Sequence, residues 1–409
     1  MAITDSGQIR FSDIANEYGV SLSNVSLSTL STDIGLTPQH AITEFYGKSA
    51  GLTINDLTNT ITADDDSVAL SIDVEDAVYF DGYHFVSNRT SVTDASYYSD
   101  DDGISWTRKT SLFDQKSKFT VAGDYLITVD QNNLTRWIFG SEPNSISDTT
   151  YLSDLDIYRT RFSSSGGSTA SNAIYYDDHV YYLDNSTFRG WDLSSGGFTP
   201  VSTGGIIYQG TFQYRPLAVG NDGRMITIGW TNSNDYSPCF VVTDNNFVTN
   251  TAIPFPSVSN YTYTSSTLSG SNFNNAHLVT DGDGNWVFTP RVHDSGRTLY
   301  IYSDDNGDTW TAIEDHYYDE NVMTYTPGTT TTSDENFGYI ESAIFANNKF
   351  YLGYASGASG SESDRGGLIF SSDGENLTGI KDIGTGARGL SSNGSTLIVA
   401  GDDKFLRFT

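Results

Sequence analysis

The chain has 409 residues, of which 51 are Asp or Glu and 21 are Lys or Arg, so its formal net charge at pH 7 is −30. This charge argues against binding to nucleic-acid phosphates or to an anionic membrane, since both need clustered Lys and Arg. Aromatic residues make up 13% of the chain and glycine occurs 39 times. Such a composition is typical of β-strands and turns, and it argues against a disordered chain.

Residues 1–50 are predicted to form a small module with two short helices. The first helix is expected over 11–18, before Gly19, and the second over 39–46, before Gly47, because glycine commonly ends helices. A module of this size buries little apolar surface by itself. Its apolar side chains must therefore pack on the rest of the chain, on a copy of the module or on a partner.

The stretch SGQIRFSDIANEYG, followed later by ITEFYGKS, resembles the N-terminal segment of many tailed-phage virion structural proteins, particularly those of marine and cyanobacterial phages. The resemblance covers residues 1–50 and implies a module that attaches a variable distal domain to the particle. The N-terminus lacks the charged and apolar regions of a signal peptide, and no apolar run is long enough to span a membrane. We therefore expect synthesis in the host cytoplasm and a location in the virion. The alternative is a helical hairpin that only caps the following domain.

A turn pair followed by a strongly β-forming run recurs seven times, with consecutive copies 42–64 residues apart and a mean spacing of 52. Turn pairs of this kind predict β-hairpins, and a spacing of roughly 40–50 residues suits a four-stranded propeller blade. We therefore predict an all-β, seven-bladed β-propeller over 51–409. The alternatives are a β-sandwich and a β-solenoid. The turn pairs are Asp81-Gly82, Gly123-Asp124, Asp177-Asp178, Asp222-Gly223, Asp283-Gly284, Asn347-Asn348 and Asn393-Gly394.

The last predicted blade is one strand short, because a single strand-like run, 404–408, follows its hairpin. Residues 51–72 are strand-like and precede the first blade. We predict that part of this segment, Val68–Ile72, supplies the missing outer strand, which would close the ring and protect two strand edges.

Three stretches share a second pattern: 99–106 and 303–310 fit S-x-D-x-G-x-(S/T)-W, and 371–378 fits a degenerate form. Asp can accept backbone hydrogen bonds, Gly allows a positive φ, and Trp begins the next strand with a large apolar surface to bury. The pattern resembles the Asp box, or BNR repeat, of sialidase-type β-propellers, which implies the fold and not an activity. The residues predicted to lock these turns are Ser99, Asp101, Gly103, Trp106, Ser303, Asp305, Gly307, Trp310, Ser371, Asp373 and Gly374.

The sequence does not single out a catalytic residue. The resemblance to sialidases implies an early Arg-Ile-Pro motif and an arginine triad, but no Arg-Ile-Pro occurs and no arginine matches the triad by motif. A glycosidase in general needs only two carboxylates about 5 to 9.5 Å apart, and 51 acidic residues leave that choice open.

No metal site or cofactor is predicted either. The six histidines lack zinc-ligand spacing, and the Asp-rich turns at 64–66, 100–102 and 281–283 depart from the EF-hand pattern. Adventitious Ca²⁺ at an acidic turn stays open. The single cysteine, Cys239, is expected to be a buried apolar side chain.

The two longest intervals between turn pairs contain segments rich in Tyr, Ser, Asn and Gly, at 251–275 and 316–337. This composition suits adaptable recognition loops, and tyrosine rings can stack on sugars. The alternative is loop padding at a subunit contact. The candidate ligand-binding residues are Tyr261, Tyr263, Tyr317, Tyr318 and Tyr325.

Together these patterns predict a multicopy phage virion protein of the tail or a fibre, held to other virion proteins by residues 1–50. The propeller would be the exposed distal domain and would bind a host-surface glycan. The alternatives are a virion-associated glycan-degrading enzyme and a purely structural or capsid decoration protein. A convergent arginine cluster or a close carboxylate pair would favour the enzyme, and an open aromatic face would favour the binder.

Overall fold

In the computed structural model the chain consists of two compact units. One comprises residues 1–54 together with 408–409, and the other comprises residues 55–407. Residues 1–53 lie outside the described residues, and so do both helices predicted at 11–18 and 39–46. The described residues are 54–56, 61–63, 74–89, 95–110, 112–113, 117–129, 134–139, 146–152, 172–184, 187–193, 198–199, 216–230, 238–243, 250–257, 276–289, 300–313, 323–324, 339–355, 366–381, 383, 385–401 and 404–408.

The regular elements of the described residues are all β-strands. In chain order they are β1 (Ile54–Asp56), β2 (Ile61–Ala63), β3 (Val74–Phe80), β4 (Tyr83–Asn88), β5 (Ala95–Ser99), β6 (Trp106–Thr110), β7 (Lys118–Ala122), β8 (Tyr125–Val129), β9 (Leu134–Phe139), β10 (Ile146–Leu152), β11 (Ile174–Tyr176), β12 (His179–Asp184), β13 (Thr187–Asp192), β14 (Phe198–Thr199), β15 (Leu217–Val219), β16 (Met225–Trp230), β17 (Pro238–Thr243), β18 (Asn250–Pro254), β19 (His277–Thr280), β20 (Trp286–Thr289), β21 (Tyr300–Ser303), β22 (Thr311–Ile313), β23 (Met323–Thr324), β24 (Tyr339–Ala346), β25 (Lys349–Ala355), β26 (Gly367–Ser371), β27 (Thr378–Lys381), β28 (Gly389–Ser392), β29 (Leu397–Ala400) and β30 (Phe405–Phe408).

These strands form seven sheets within the described residues, five of four strands and two of five. In each sheet a run of strands that follow one another in the chain pairs antiparallel, as β3 to β6 do in the first sheet. The strands β1, β2 and β23 lie outside these runs and each takes an outer position. The orders are β2-β6-β5-β4-β3, β10-β9-β8-β7, β11-β12-β13-β14, β15-β16-β17-β18, β19-β20-β21-β22, β23-β27-β26-β25-β24 and β1-β30-β29-β28.

One strand of each sheet lies against the corresponding strand of the next sheet. The strand of the seventh sheet, β28, lies against that of the first sheet, β3, so these seven strands form a closed ring. The strands of this inner ring are β3, β7, β11, β15, β19, β24 and β28. In each antiparallel run the first and third strands end on the side where the second and fourth begin, so the two ends of a sheet carry different connections. The turn end carries the hairpin between the first two strands and the turns that resemble Asp boxes; the loop end is where the inner strand begins.

The segment 51–72 contributes strands to two different sheets. β1 occupies the outer position beside β30 in the last sheet, so Ile54–Asp56 of the segment 51–72 takes that position. Val68–Ile72, the part of the segment predicted to supply this strand, lies outside the described residues. β2 pairs in parallel with β6 and extends the first sheet. Residues 64–73 lie outside the described residues. A parallel strand at the outer edge follows from a connection that arrives from another sheet, since a hairpin produces only antiparallel neighbours.

The core consists of apolar layers between neighbouring sheets, and the tryptophans that follow the first two box turns are buried in them. Trp310 stacks on Phe240 of the preceding sheet with 3.7 Å between ring centroids. Trp106 packs 4.3 Å from Phe405 of the last sheet, in a cluster that also contains Ile398. Burial of large aromatic rings at these contacts holds neighbouring sheets together.

Candidate functional site

Local hydrogen bonds close each box turn at the turn end. In the first, the Ser99 hydroxyl donates to Asp101 Oδ1 (2.8 Å) and accepts from the Gly103 amide (2.9 Å). Asp101 also accepts from the Ser105 amide (2.8 Å), and Trp106 Nε1 donates to the Gly103 carbonyl (3.2 Å). The second turn repeats these bonds with Ser303, Asp305, Gly307, Thr309 and Trp310 at 2.8, 2.9, 2.8 and 3.1 Å.

The third box turn is a shortened version with the same centre. Ser371 donates to Asp373 Oδ1 (3.0 Å) and accepts from the Gly374 amide (2.9 Å), while the Asn376 amide donates to Asp373 (2.8 Å). One residue fewer separates its Asp from its Gly, and Leu377 stands in place of the tryptophan.

The carboxyl groups of these turns are stabilised as anions. Burial alone would raise the pKa of Asp101, but hydrogen bonds from Ser105, Ser99 and the Ile104 amide hold it below its ordinary value. The pKa values of Asp305 and Asp373 are lowered in the same way. Hydrogen bonds to a carboxylate favour its charged form, and donors that come from the same turn point to a structural role.

In the two complete box turns, the residue before the glycine also contacts the preceding sheet. Asp102 (φ 65°) accepts from Asn393 Nδ2 and from the Thr396 hydroxyl (3.3 Å), and Arg407 Nε donates to its carbonyl (2.9 Å). Asn306 (φ 61°) donates to Asp222 of the preceding sheet (2.8 Å). The shortened third turn has no residue at this position.

At the loop end, two glutamates occupy equivalent irregular positions on the inner ring. The register between β3 and β4 shifts at Val74/Asp76, and that between β24 and β25 shifts at Ile340/Ser342. The residues inserted at these shifts are Glu75 and Glu341, and both are buried. Bulges of this kind re-aim side chains and are frequent beside functional sites.

Each inserted glutamate pairs with a cation that lies in the inner strand of the next sheet or immediately before it. Lys118 Nζ lies 3.2 Å from Glu75 Oε1 and donates to the Glu75 carbonyl at 2.8 Å. Arg388, immediately before β28, lies 3.6 Å from Glu341 Oε2. Around the ring, the order of side chains on β24, β28, β3 and β7 is therefore Glu341, Arg388, Glu75 and Lys118, with alternating charge. We call these four residues the charged belt.

The neighbours of the belt tie the inner strands together. Asp76 accepts from the amides of Ala77 (2.9 Å) and of Phe119 on the next sheet (2.8 Å). Ser342 donates to the Ala387 carbonyl on its own next sheet (2.9 Å). Arg89 lies 3.9 Å from Glu75 and adds a second cation beside that carboxylate.

The pKa shifts of Glu75 and Lys118 reflect both their burial and the charges of the neighbouring belt residues. Burial raises the pKa of Glu75, although Lys118 and Arg89 oppose this shift. Burial alone would lower the pKa of Lys118, but Glu75, Asp76 and Glu341 raise it above its ordinary value. Glu341 acts on Lys118 although β24 and β7 are separated in the ring by β28 and β3. Such an interaction fits side chains that face the centre of the ring.

The predicted ligand-binding tyrosines, Tyr261, Tyr263, Tyr317, Tyr318 and Tyr325, lie outside the described residues. Tyr261 and Tyr263 lie between β18 and β19, and Tyr317 and Tyr318 lie between β22 and β23; the strand ends that flank these four residues belong to the loop end. Tyr325 follows β23, which pairs antiparallel with β27 and ends with Thr324 opposite Thr378, at the turn end. Among the residues that the structure describes, no group of three or more His, Cys, Asp or Glu side chains is arranged to hold a metal ion. In the Asp-rich turn at 281–283, Asp281 accepts from the Asp283 and Asn285 amides at 2.8 and 3.0 Å. Cys239 is buried in an apolar cluster.

Sequence reasoning missed the charged belt, although a signal is present. Glu75 and Glu341 each stand six residues before a turn pair, whereas Lys118 and Arg388 stand five before theirs. The extra residue marks the bulge, and it becomes visible only when the repeats are aligned on their turn pairs. Which charges then meet depends on the closure of the ring.

No helix within the described ranges is long and apolar enough to cross a membrane. No protein-family model and no curated protein sequence matches the chain. Solved structures do match over most of it. A catalytically inactive virginiamycin B lyase from Staphylococcus aureus with quinupristin is 11% identical, with 88% of this chain and 99% of that chain covered and a TM-score of 0.51.

PorZ, a bacterial surface component of the type-IX secretion system of Porphyromonas gingivalis, is also 11% identical over 83% of this chain and 47% of its own, with a TM-score of 0.50. YCF48 from Cyanidioschyzon merolae is 9% identical over 87% of this chain and 98% of its own, at a lower TM-score of 0.46. These proteins differ in function, and the identities are low, so the likeness of the first two shows the fold alone. The chain is a β-propeller.

Proposed function

We propose that the chain is a seven-bladed β-propeller displayed by a tailed-phage virion, and that the loop end of the ring binds a host-surface carbohydrate. Seven sheets whose inner strands form a closed ring support the blade number. The resemblance of residues 1–50 to virion structural proteins supports the location.

The charged belt is the observation that carries the binding function. Buried ionisable groups with shifted pKa values are typical of functional sites, and at the turn end the comparable carboxylates are satisfied inside their own turns. The parts of the tyrosine-rich segments that hold Tyr261, Tyr263, Tyr317 and Tyr318 leave from strand ends at the same end of the sheets as the belt. Aromatic rings next to fixed polar groups suit carbohydrate recognition, because the rings stack and the polar groups select hydroxyls.

Two measurements test this proposal. We expect the full-length chain to bind a subset of host-surface glycans on an array, and we expect a reconstruction of the particle to place residues 1–50 against other virion proteins with the propeller outward. A chain that binds no glycan, or a propeller packed between other proteins on both faces, would contradict receptor binding and leave the structural role. Absence of the chain from the particle would contradict the virion location.

A glycan-degrading enzyme is the second candidate, and the pKa of Glu75 favours it. Burial raises this pKa, and a carboxyl group with a raised pKa can act as a general acid. If the chain is an enzyme, the wild-type chain releases a product from the bound glycan, and the variant that removes the whole ion pair, Glu75→Gln/Lys118→Gln, releases none. If the wild-type chain binds a glycan and releases no product from it, the enzymatic function is excluded for that glycan.

A further inference from the structure

In the charged belt the acidic and basic side chains differ in how much of their surface is exposed to solvent. The Glu75 and Glu341 side chains are 3% and 6% exposed, whereas the Lys118 and Arg388 side chains are 20% and 22% exposed. The carboxylates are therefore the more deeply buried partners of both ion pairs, and the cations are the more exposed partners. A ligand that approaches this part of the ring meets the cations first.

The geometry of Lys118 leaves it able to bind a further acceptor. An ammonium group has three donors. The Glu75 carbonyl takes one at 2.8 Å and the Glu75 carboxylate lies at 3.2 Å, where it can take a second. One donor remains for an acceptor outside this pair.

Lys118 and Arg388 are two of only 21 basic residues in a chain with 51 acidic ones. With a formal charge of −30, the protein repels anions at long range. Glu75 and Glu341 hold Lys118 and Arg388 in place, so the cations are positioned before a ligand arrives. Charge-assisted hydrogen bonds to an oxyanion are shorter and stronger than bonds to neutral hydroxyls.

From these observations we infer that Lys118 and Arg388, positioned by Glu75 and Glu341, bind an oxyanion (a carboxylate or a sulfate) carried by the ligand. This inference rests on the proposed binding function and names the chemical class of its ligand: an acidic sugar. Glu75 and Glu341 are positioning residues, and their insertion at two bulges places each beside its cation.

Calorimetric titration at fixed ionic strength tests the inference with glucuronate, inorganic sulfate and glucose as probes. We expect the full-length chain to bind glucuronate or sulfate and to bind glucose at least about tenfold more weakly, since a charged acceptor strengthens the hydrogen bonds. Binding of glucuronate alone indicates a carboxylated sugar, and binding of sulfate alone a sulfated one. Equal binding of glucose and glucuronate, or no binding of either anion, would overturn the inference.

The variants remove whole ion pairs, because a single neutralisation leaves a buried charge and endangers folding. The double variants Glu75→Gln/Lys118→Gln and Glu341→Gln/Arg388→Gln should each weaken anion binding about tenfold or more. The matched control removes the Arg224–Asp308 ion pair at the turn end, as Arg224→Gln/Asp308→Asn, and should bind like the wild type. Circular dichroism confirms that each variant folds.

The outcomes separate this inference from the proposed function. If the array shows binding of a neutral glycan and the belt variants leave it unchanged, the inference is wrong and the carbohydrate function stands. If sulfate or glucuronate binds and the belt variants abolish it while the array shows no glycan, the oxyanion site stands and the carbohydrate function falls.

Discussion

The two ends of the sheets both carry acidic residues, but they use them in opposite ways. At the turn end, Asp101 and Asp305 accept hydrogen bonds from their own turns, and their pKa values are lowered. At the loop end, Glu75 is inserted at a bulge, its pKa is raised by burial, and its partners come from other parts of the chain. The box carboxylates are held by donors of their own turns, whereas the carboxylates of the proposed binding site depend on cations from neighbouring sheets.

The largest loss of stability is expected from truncation of Trp106, which follows the first box turn and is buried between two sheets. Trp106→Ala removes a fully buried indole from the contact between the first and last sheets, and such truncations lower the free energy of unfolding by about 3–5 kcal/mol. Chemical denaturation followed by circular dichroism measures the change. Ile104→Ala in the same turn is the control, because that side chain is 53% exposed and should change stability by less than about 0.5 kcal/mol. Equal effects of the two variants would refute the assigned role of the turn.

The next largest loss of stability is expected when only one partner of a belt ion pair is removed. Lys118→Met leaves the Glu75 carboxylate buried without its nearest cation, and loss of one partner from a buried pair reduces stability by about 3 kcal/mol. The double variant Glu75→Gln/Lys118→Gln leaves no unpaired charge and should regain most of that loss. Denaturation of both variants at pH 7 gives the comparison; a double variant as unstable as the single one would mean that packing, not charge, dominates this site.

The pH dependence should report on the turn end through His84. Burial lowers its pKa to about 4, an effect that Asp102 opposes and Arg407 assists; Nδ1 lies 2.7 Å from the Ser391 hydroxyl and Nε2 has no hydrogen-bond partner. Because the folded pKa lies below the unfolded value of about 6.5, stability is complete above that pH and falls as the pH drops toward 4. Linkage predicts a loss of about 2 kcal/mol at pH 5 from this group.

His84→Gln tests that assignment, since the variant should lack this part of the acid destabilisation while other acid-sensitive groups remain. The control is His179→Gln, at the hairpin where His179 Nδ1 lies 2.7 Å from the Asp177 carbonyl, and its pH profile should follow the wild type. An unchanged profile for His84→Gln between pH 5 and 7 would place the sensitivity elsewhere.

The smallest effect is expected for a single box carboxylate. Asp101→Ala removes the acceptor of the Ser105 amide and of the Ser99 hydroxyl, and loss of such a turn-closing acceptor lowers stability by about 1 kcal/mol. Thermal unfolding compares this variant with Asp100→Ala, whose exposed side chain lies in the same turn. If Asp100→Ala is equally destabilising, the hydrogen-bond pattern of the box is not the reason for its stability.

Much of the fold follows from local residue types. The all-β class and the propeller architecture, at the level that the solved structures support, are confirmed. The blade number and the virion role remain proposals. The outer strand of the last sheet is Ile54–Asp56, whereas the predicted segment, Val68–Ile72, lies outside the described residues. Residue types alone do not say which part of 51–72 takes this position, because several parts of the segment are β-forming.

The sequence by itself determined the turns and strands, since their causes lie within a few residues: Gly103 and Gly307 take φ near 80°, a conformation that favours glycine, and an Asp two residues after a Ser can close the loop. The tertiary structure adds a second reason for these glycines, because a Cβ would meet Ile398 or Ile226 of the preceding sheet at 2.3 Å. Tertiary structure alone decided the charged belt. Lys118 is 43 residues from Glu75 in the chain, and Arg388 meets Glu341 from a different sheet. Their pairing depends on the bulges and on the closed ring, because burial and proximity of charges arise only when distant strands are brought together.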